Sequence, residues 1–454
     1  MRGVIIKAKL YGVLLDDIQL GAMLRTIRKS KKLSLEKFAT LTHISRNILG
    51  AIECGEMPCS PEQLFSIKRA LGIEFLPLFE HERSNFMDFL FNFNNEIQEG
   101  NFKTAEDLSA KLSVIKYLPD DKELSTLFSI FNCRFVLSTS GVEAAKKLLD
   151  DLDKSCESFD SLQRYHYSYV KGTYNLIDRN SDEALNFYLE AYGLSKRFSG
   201  KNINLYYNIS SSYIGKSNIA RSTTFLEEAY DLILSGHTTN LEIYIYNQLG
   251  INYIKLGVLQ RAKKMLLKAL KLARKNYDAV RNDKNKEIIG MILYNFGLLF
   301  RKAKNGFKAL DLFDMSIPYI DKRSTLYLDV VYQKAQTRID MDDKVSCIEL
   351  INEGLQLSKE REDETYTILF KSLDSFKHLN DDTAKYLSEK TLPYLFKINY
   401  EFTVLDFTGA LRRYYIRRGS GFKDKANQML NIMHMVQSKI HDGSVIEWEN
   451  DSFD

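Results

Sequence analysis

The sequence is poor in residues that break helices, and it lacks the long apolar runs that cross membranes. Proline occurs 6 times and glycine 23 times among 454 residues. This scarcity argues against collagenous, disordered and turn-rich all-β chains. No stretch of about 18 consecutive apolar residues is present, so no membrane span is predicted. The N-terminus also lacks the sustained apolar core and small-residue cleavage site of a secretory signal peptide.

Cysteine is scarce and scattered. The number of cysteines is odd, which fits reduced thiols better than a disulfide framework and predicts a cytoplasmic location. Histidines, cysteines and acidic residues do not occur together at metal-ligand spacing, and there is no nucleophile–base signature. We therefore predict no metal, no cofactor and no enzymatic activity. The cysteines are Cys54, Cys59, Cys133, Cys156 and Cys347.

Positive charge is concentrated at the N-terminus. Residues 1–72 contain 12 Lys/Arg and 6 Asp/Glu, whereas the whole chain has a net charge of only +4. A basic module attached to a nearly neutral body predicts an anionic partner for that module. A basic face that is merely solvated is the alternative, and charge alone leaves it open.

The basic N-terminal part is patterned as four short helices. Leu20, Leu24 and Ile27 recur at i, i+4 and i+7, which predicts one apolar face on the first helix. Ser34 and Ser45 stand where N-cap residues of the second and third helices are expected.

The segment LGAMLRTIRKSKKLSLEKFATLTHISRNILGAIECGEMPCSPEQLFSIKRALGI resembles the helix-turn-helix domain of the Cro/lambda-repressor type. The resemblance implies a second helix at about 35–41, a turn at 42–44 and a recognition helix at about 46–54. It also implies base contacts from Ser45, Arg46 and Asn47, because Arg and Asn can bond bidentately to guanine and adenine. Four cations are implied to contact phosphates, namely Arg25, Lys31, Lys32 and Lys37.

Two departures from this family narrow the expected base readout. Leu35 stands where the family usually has Gln, and Gly50 and Ala51 offer no side-chain donors midway along the recognition helix. The family also implies that Arg28 and Glu53 form an internal ion pair instead of contacting DNA. A degenerate helix-turn-helix retained for dimerisation or protein contact is the alternative interpretation.

From about residue 86 onward, helix pairs of about 39 residues recur. Each unit can be aligned on a small residue near the start of its second helix. The spacings between consecutive anchors are 40, 39, 38, 40, 47, 38, 37 and 42. Nine helix pairs are therefore predicted, with weaker units at the ends because terminal repeats cap the stack. The anchors are Ala105, Ala145, Ala184, Ser222, Ala262, Ala309, Cys347, Ala384 and Ala426.

The clearest unit explains why small residues recur. Gly250 precedes Ala262 by twelve positions, and Leu266 follows four positions later. A small residue on the first helix lets the second helix approach, and we expect the large residue to fill the groove toward the next pair. This pattern resembles the tetratricopeptide repeat. The resemblance implies an all-α right-handed superhelix whose concave face is made largely by the first helices.

Apart from roughly its first 16 residues, the chain resembles the peptide-pheromone receptors of Gram-positive bacteria, the Rap/Rgg/NprR/PlcR/PrgX family. Its length of nine repeats is most similar to the NprR branch. The resemblance implies a quorum-sensing transcriptional regulator: a homodimer that binds inverted-repeat operator DNA and is switched by a short signalling peptide. The predicted domains are an N-terminal extension (1–16), a DNA-binding domain (17–80), a peptide-binding and dimerisation domain (86–442) and a C-terminal tail (443–454).

Tyr-Asn pairs recur on the predicted first helices. In this family, Asn at such places binds the backbone of an extended peptide, since a carboxamide both donates and accepts hydrogen bonds. Asn247 stands one position out of register with the others, so not all three Asn need face the groove. For each pair, a packed Tyr with a solvated or helix-stacking Asn stays open as the alternative. The candidates are Tyr207, Asn208, Asn247, Tyr294, Asn295, Gln333 and Arg338, with Arg301 and Lys334 as weaker candidates for binding a carboxylate.

A second function stays open. Rap-type relatives use the repeat body to sequester or dephosphorylate a response regulator, so a response-regulator protein is an alternative partner. The DNA-binding head favours transcription.

Overall fold

The structure is a computed structural model, and it describes residues 8–10, 13–15, 17–72, 80–112, 122–197 and 202–442. The chain divides into two compact units, Met1–Gly200 and Lys201–Asp454. This division falls inside the predicted repeat domain. The predicted tail at 443–454 lies outside the described residues.

Unit 1 begins with a small hairpin and the four predicted head helices. The strands β1 (Ala8–Leu10) and β2 (Val13–Leu15) pair antiparallel, with Ala8 opposite Leu15. No structure had been predicted for this part of the N-terminal extension. The helices are α1 (Asp17–Ser30), α2 (Leu35–Thr42), α3 (Arg46–Glu53) and α4 (Pro61–Leu71).

The rest of unit 1 consists of helix pairs. Its elements are α5 (Glu80–Glu99), α6 (Phe102–Leu112), α7 (Lys122–Asp153), α8 (Ser161–Ile177) and α9 (Ser181–Ser195), with a 3-10 turn at Cys156–Ser158. Helix α7 is broken at Gly141, whose φ of 84° is not helical. It therefore supplies both helices of the second pair.

Unit 2 continues the pairs, and its first helices contact one another: α12 meets α14, α14 meets α16, and α16 meets α18. The first helices therefore line the inner side of this unit. The helices are α10 (Ile203–Gly215), α11 (Ile219–Leu234), α12 (Glu242–Lys255), α13 (Leu259–Ala279), α14 (Asp283–Lys302), α15 (Gly306–Ser316), α16 (Thr325–Asp340), α17 (Lys344–Glu360), α18 (Glu364–Lys377), α19 (Asp381–Tyr386), α20 (Leu392–Lys397), α21 (Glu401–Arg418) and α22 (Lys423–Asp442).

Short irregular helices complete unit 2. A π-helical turn at Leu387–Thr391 joins α19 to α20, so that these segments form one bent second helix. Two 3-10 turns lie at Ile317–Tyr319 and Ser420–Phe422.

All nine predicted anchors are buried in the second helix of their pair. Eight of them are no more than 1% exposed, and Ala426 is 6% exposed. The anchors lie where two helices approach most closely, and any larger side chain would separate them. The predicted all-α class, a helix-turn-helix head followed by tetratricopeptide-type helix pairs, is confirmed.

Glycines on the first helices make room for large residues of the second helices. A Cβ atom on Gly297 would lie 2.3 Å from the Phe313 ring, and one on Gly172 would lie 2.7 Å from the Tyr188 ring. The large residue therefore packs against the small residue of its own pair, a contact that the sequence pattern did not specify. This contact sets how closely the two helices pack.

The connections inside the pairs are short and alike. In four of them a non-glycine residue with left-handed φ precedes the residue whose side chain caps the second helix. Arg179 (φ 64°) precedes Asn180, and Lys304 (φ 57°) precedes Asn305. Each Asn accepts a hydrogen bond from a backbone N–H three residues later, which satisfies one open donor of the helix start.

We expect Gly297→Ala to destabilise unit 2 by about 1–3 kcal/mol, because the added methyl group would overlap the Phe313 ring. Gly193→Ala is the matched control. Gly193 is exposed near the end of α9, and an added Cβ would meet nothing within 4 Å. The control should be stabilising by about 0.5–1 kcal/mol, because alanine favours helix more than glycine does. Denaturant unfolding measures both changes, and equal effects would contradict the packing argument.

Candidate functional site

The head places a short helix where a recognition helix is expected. Ser34 caps α2 by accepting a bond from the Lys37 N–H, and Ser45 caps α3 by accepting one from the Ile48 N–H. His43, with φ 57°, turns the chain between α2 and α3. The predicted second helix, turn and recognition helix are confirmed to within one residue.

A buried ion pair fixes α3 to α1. The Arg28 guanidinium donates to both carboxylate oxygens of Glu53, at 2.6 and 2.8 Å, and to the Leu33 carbonyl oxygen at 2.6 Å. Both charged side chains are less than a tenth exposed. Hydrogen bonding to Glu53 raises the pKa of Arg28 above its ordinary value. The predicted internal ion pair is confirmed, and it orients the recognition helix.

The predicted base-contacting residues lie at the exposed start of α3. Asn47 is exposed, and Arg46 donates to Glu36 at 2.8 Å in a pair whose two side chains are more than 60% exposed. An exposed ion pair of this kind contributes little to stability, so the Arg46 guanidinium can leave Glu36 at low cost. The Ser45 hydroxyl is engaged as the cap of α3. The predicted phosphate-contacting residues are all exposed: Arg25, Lys31, Lys32 and Lys37.

We expect Glu53→Ala to destabilise the head by about 3–5 kcal/mol, because it leaves the buried Arg28 charge without its partner. Glu36→Ala, which removes the exposed partner of Arg46, should lower the free energy of unfolding by less than about 1 kcal/mol. Thermal unfolding followed by circular dichroism compares the two variants. Similar losses would mean that the buried pair does not hold the head together.

On the repeats, the structure brings two predicted peptide-binding residues together. Asn295 donates from Nδ2 to Oδ1 of Asn247 at 2.9 Å, and both side chains are buried. The register difference noted for Asn247 therefore does not separate these two. Asn208 is partly buried and Tyr294 is buried against Phe313. Burial raises the pKa of Tyr207 and of Tyr294 above the ordinary value for tyrosine.

The other predicted peptide-binding residues separate into two groups. Gln333 accepts a bond from Arg301 at 3.1 Å, and Arg301 also donates to Asp340 at 2.9 Å. Arg338 instead pairs at 3.0 Å with Asp343, the residue that caps the second helix of its own pair. Of the two weaker candidates, Lys334 pairs with Asp314 at 2.6 Å.

Residues that sequence reasoning missed also lie on the inner side of unit 2. Glu401, at the start of α21, is 3% exposed and accepts a bond from the Ser217 hydroxyl at 2.5 Å. Lys439 donates to the same carboxylate at 2.8 Å. In the sequence, Gly215-Lys216-Ser217 suggests only the end of a phosphate-binding loop, an interpretation that the surrounding repeat excludes. No local signal pairs residues that are 184 positions apart.

A partly buried carboxyl group, that of Asp329, lies further along the same unit. Burial raises the pKa of Asp329 to about 6, and its hydrogen bond with Tyr366 only partly opposes that rise. The negative charge of Asp363 adds to the rise. The protonated form of Asp329 therefore fits the folded chain better than the ionised form.

We expect the ionised Asp329 to destabilise unit 2 above pH 6. Its pKa is higher in the folded chain than the ordinary 3.9, so its stabilisation is complete below about pH 4 and is lost as the pH rises through about 6. Asp329→Asn mimics the protonated form. As the pH rises from 4 to 7.5, its free energy of unfolding should increase relative to that of the unchanged chain by on the order of 1–2 kcal/mol. Unfolding measured across this range tests the difference, and a constant difference would contradict the assignment.

The described part of the chain offers no group of three or more metal-binding side chains, and its five cysteines are free thiols. Among the described helices, none is long and apolar enough to cross a membrane.

Comparisons with known sequences support the two-part organisation. A helix-turn-helix family model matches residues 24–78, and a tetratricopeptide repeat model matches residues 243–276. Response regulator aspartate phosphatase A of Bacillus subtilis is 22% identical over 76% of this chain and 93% of its own length. Transcriptional activator NprA of Geobacillus stearothermophilus is 21% identical over 83% of this chain and 93% of its own length.

Solved structures agree on the fold. The apo form of the quorum sensor NprR from B. thuringiensis has a TM-score of 0.61 and 16% identity, over 78% of this chain and 99% of that one. A Rap protein complexed with competence and sporulation factor has a TM-score of 0.60 and 14% identity, over 80% of this chain and all of that one. The predicted resemblance is therefore confirmed: in fold and in domain composition, the chain fits the family that contains the Rap and NprR proteins.

Proposed function

We propose that this chain is a cytoplasmic, DNA-binding transcriptional regulator whose DNA binding is switched by a short signalling peptide held on the inner side of the repeats. The observation that carries the proposal is the exposed start of α3, at Ser45–Asn47, in a head fixed by the buried Arg28–Glu53 pair. A rigid short helix with exposed polar residues at its N-terminus is what major-groove readout requires.

The chemistry of the head suits DNA. Arg46 and Asn47 are exposed side chains of the types that bond bidentately to guanine and adenine. The exposed cations Arg25, Lys31 and Lys37 supply charge for phosphate contacts. A homodimer bound to an inverted repeat would place two such helices about one helical turn of DNA apart.

The chemistry of the inner face suits a peptide backbone. Asn247 and Asn295 bond to each other, and a peptide's carbonyl and N–H groups offer both carboxamides equivalent bonds. NprR has been solved in complex with its cognate peptide NprX, and its structure has a TM-score of 0.57 to this chain at 18% identity. The peptide would favour one arrangement of the repeats and so shift an existing equilibrium.

The similarity to response regulator aspartate phosphatase A supports a second candidate function, control of a response regulator through the repeats. Binding of purified response regulators to the full chain tests it. The absence of any complex would retire this candidate and leave the DNA-binding proposal in place.

The DNA-binding proposal predicts an ordered set of effects in selection from random duplex DNA. The unchanged chain should enrich an inverted repeat. Arg46→Ala and Asn47→Ala should each remove one base contact. Each should therefore lower the free energy of discrimination between bases at one position by about 1–3 kcal/mol. Lys37→Ala should weaken binding to all DNA sequences alike. It should also reduce the slope of log affinity against log salt concentration by about one.

Glu36→Ala is the control for these variants, because it frees Arg46 without removing a DNA contact. Its sequence preference should match that of the unchanged chain. Retention of DNA without sequence preference, with or without a pool of random short synthetic peptides, would overturn the proposal. A peptide pool that leaves both DNA affinity and oligomeric state unchanged would overturn the peptide switch.

A further inference from the structure

The first two turns of α21 lie among the first helices of several pairs of unit 2. We call this segment, Glu401 to Asp406, the clasp. Its side chains meet residues at or just beyond the C-terminal ends of α10, α12 and α14, and on α16. The clasp thus lies across successive first helices, as a peptide on the inner side of a repeat stack would.

At one end of the clasp, a carboxylate is removed from water. Glu401 accepts bonds from Ser217 and Lys439, and only 3% of its surface is exposed. A carboxylate is costly to bury unless charged and hydrogen-bonding groups receive it. Ser217 and Lys439 therefore form a site that holds a carboxylate at this end of the clasp.

Lys255, the last residue of α12, is a cation that faces the clasp. Its ammonium lies 5.0 Å from the centre of the Phe402 ring, and its side chain is partly buried. Among the described residues, the ammonium has no hydrogen-bond acceptor. Burial lowers the pKa of Lys255, and the charge of Glu401 opposes that change. A carboxylate brought by a ligand would give this ammonium a charged hydrogen-bond acceptor.

A second polar group with unused hydrogen-bonding capacity lies on α16. The Tyr332 hydroxyl is buried and makes no hydrogen bond of good geometry within the described residues, although the Thr403 side chain of the clasp is close enough to influence its pKa by hydrogen bonding. A buried polar group left in this way is unfavourable, which makes it a second place where a ligand gains a bond.

At the other end of the clasp, a second carboxylate meets a second cation. Asp406 accepts a bond from Gln336 at 3.0 Å, and its nearest contact with the Arg301 guanidinium is 3.6 Å. Asp406 is half exposed, whereas Arg301 is only 18% exposed. The cation is thus fixed in the repeats, and its carboxylate partner is the part that water reaches.

We propose that the inner face of unit 2 binds an acidic peptide, that Lys255 and Arg301 receive its carboxylates, and that the clasp occupies these positions until such a peptide displaces it. This proposal rests on the proposed peptide-controlled function and names the chemistry of the peptide. Two acidic residues five positions apart, with Phe, Thr, Val and Leu between them, match the order of charges in the clasp. Displacement exposes Glu401 and Val404, which are buried in the clasp, so the peptide must bind the displaced form several orders of magnitude more tightly to move α21.

The test uses the full chain and two synthetic peptides. The acidic peptide carries the chain's own residues 399–408, NYEFTVLDFT, and the amide peptide carries Gln and Asn at its two acidic positions. Fluorescence anisotropy measures the binding of each peptide to the unchanged chain and to Glu401→Gln/Asp406→Asn. The acidic peptide should bind this double variant at least about tenfold more tightly than it binds the unchanged chain, because the internal competitor is weakened. The amide peptide should bind the double variant about tenfold more weakly than the acidic peptide does.

Lys255→Met, added to the double variant, should weaken the binding of the acidic peptide but not that of the amide peptide. Asp321→Asn is the matched control, since it removes an exposed carboxylate that pairs only within its own turn, and it should change neither affinity. If the double variant melts at a lower temperature or loses helix, Asp406→Asn alone provides the same comparison from a half-exposed site. Equal binding of the two peptides, or no binding of the acidic peptide, would overturn the proposal.

The outcomes separate this proposal from the proposed function. If a neutral or basic peptide from the random pool changes DNA binding while the acidic peptide does not bind, the acidic preference is wrong and the regulator proposal stands. If the acidic peptide binds as expected while no peptide changes DNA binding, the site is right and the regulator proposal fails.

Discussion

The architecture of the repeats depends on how closely the two helices of each pair approach. In three pairs, glycine on the first helix admits a large side chain from the second, as Gly297 admits Phe313. This contact brings the anchor residue, such as Ala309, into full burial. Everything on the inner side of unit 2 depends on it, because it positions the first helices on which the candidate peptide-binding residues lie.

Burial determines which of the charged contacts hold the structure and which are available for binding. In the head, the Arg28–Glu53 pair is removed from water and fixes the recognition helix, whereas the Arg46–Glu36 pair is exposed and exchangeable. In the repeats, the carboxylate of Glu401 is buried among donors. The same residue types therefore serve structure or binding according to how much water reaches them.

Features that depend on local patterns were predictable from the sequence. The caps at Ser34 and Ser45, the nine anchors and the Arg28–Glu53 pair follow from short spacings or from a family resemblance that covers one domain. The contacts of Glu401 were not predictable. They join residues far apart in the sequence, and their formation depends on the curvature of a whole stack of helices, which no single unit encodes. The Asn247–Asn295 pair lies between these cases, since the residues were recognisable but their mutual bond required the distance between two helices.

The 47-residue spacing between Ala262 and Ala309 has a simple geometric consequence. The connections within the pairs on either side keep their usual length, and the extra residues lengthen α13 and α14, which reach 21 and 20 residues. A surplus of about one turn on each helix preserves the angular position of its buried stripe, since a turn takes about 3.6 residues. The chain can therefore vary the height of a pair by whole turns, about 5.4 Å at a time, without rotating any packed face.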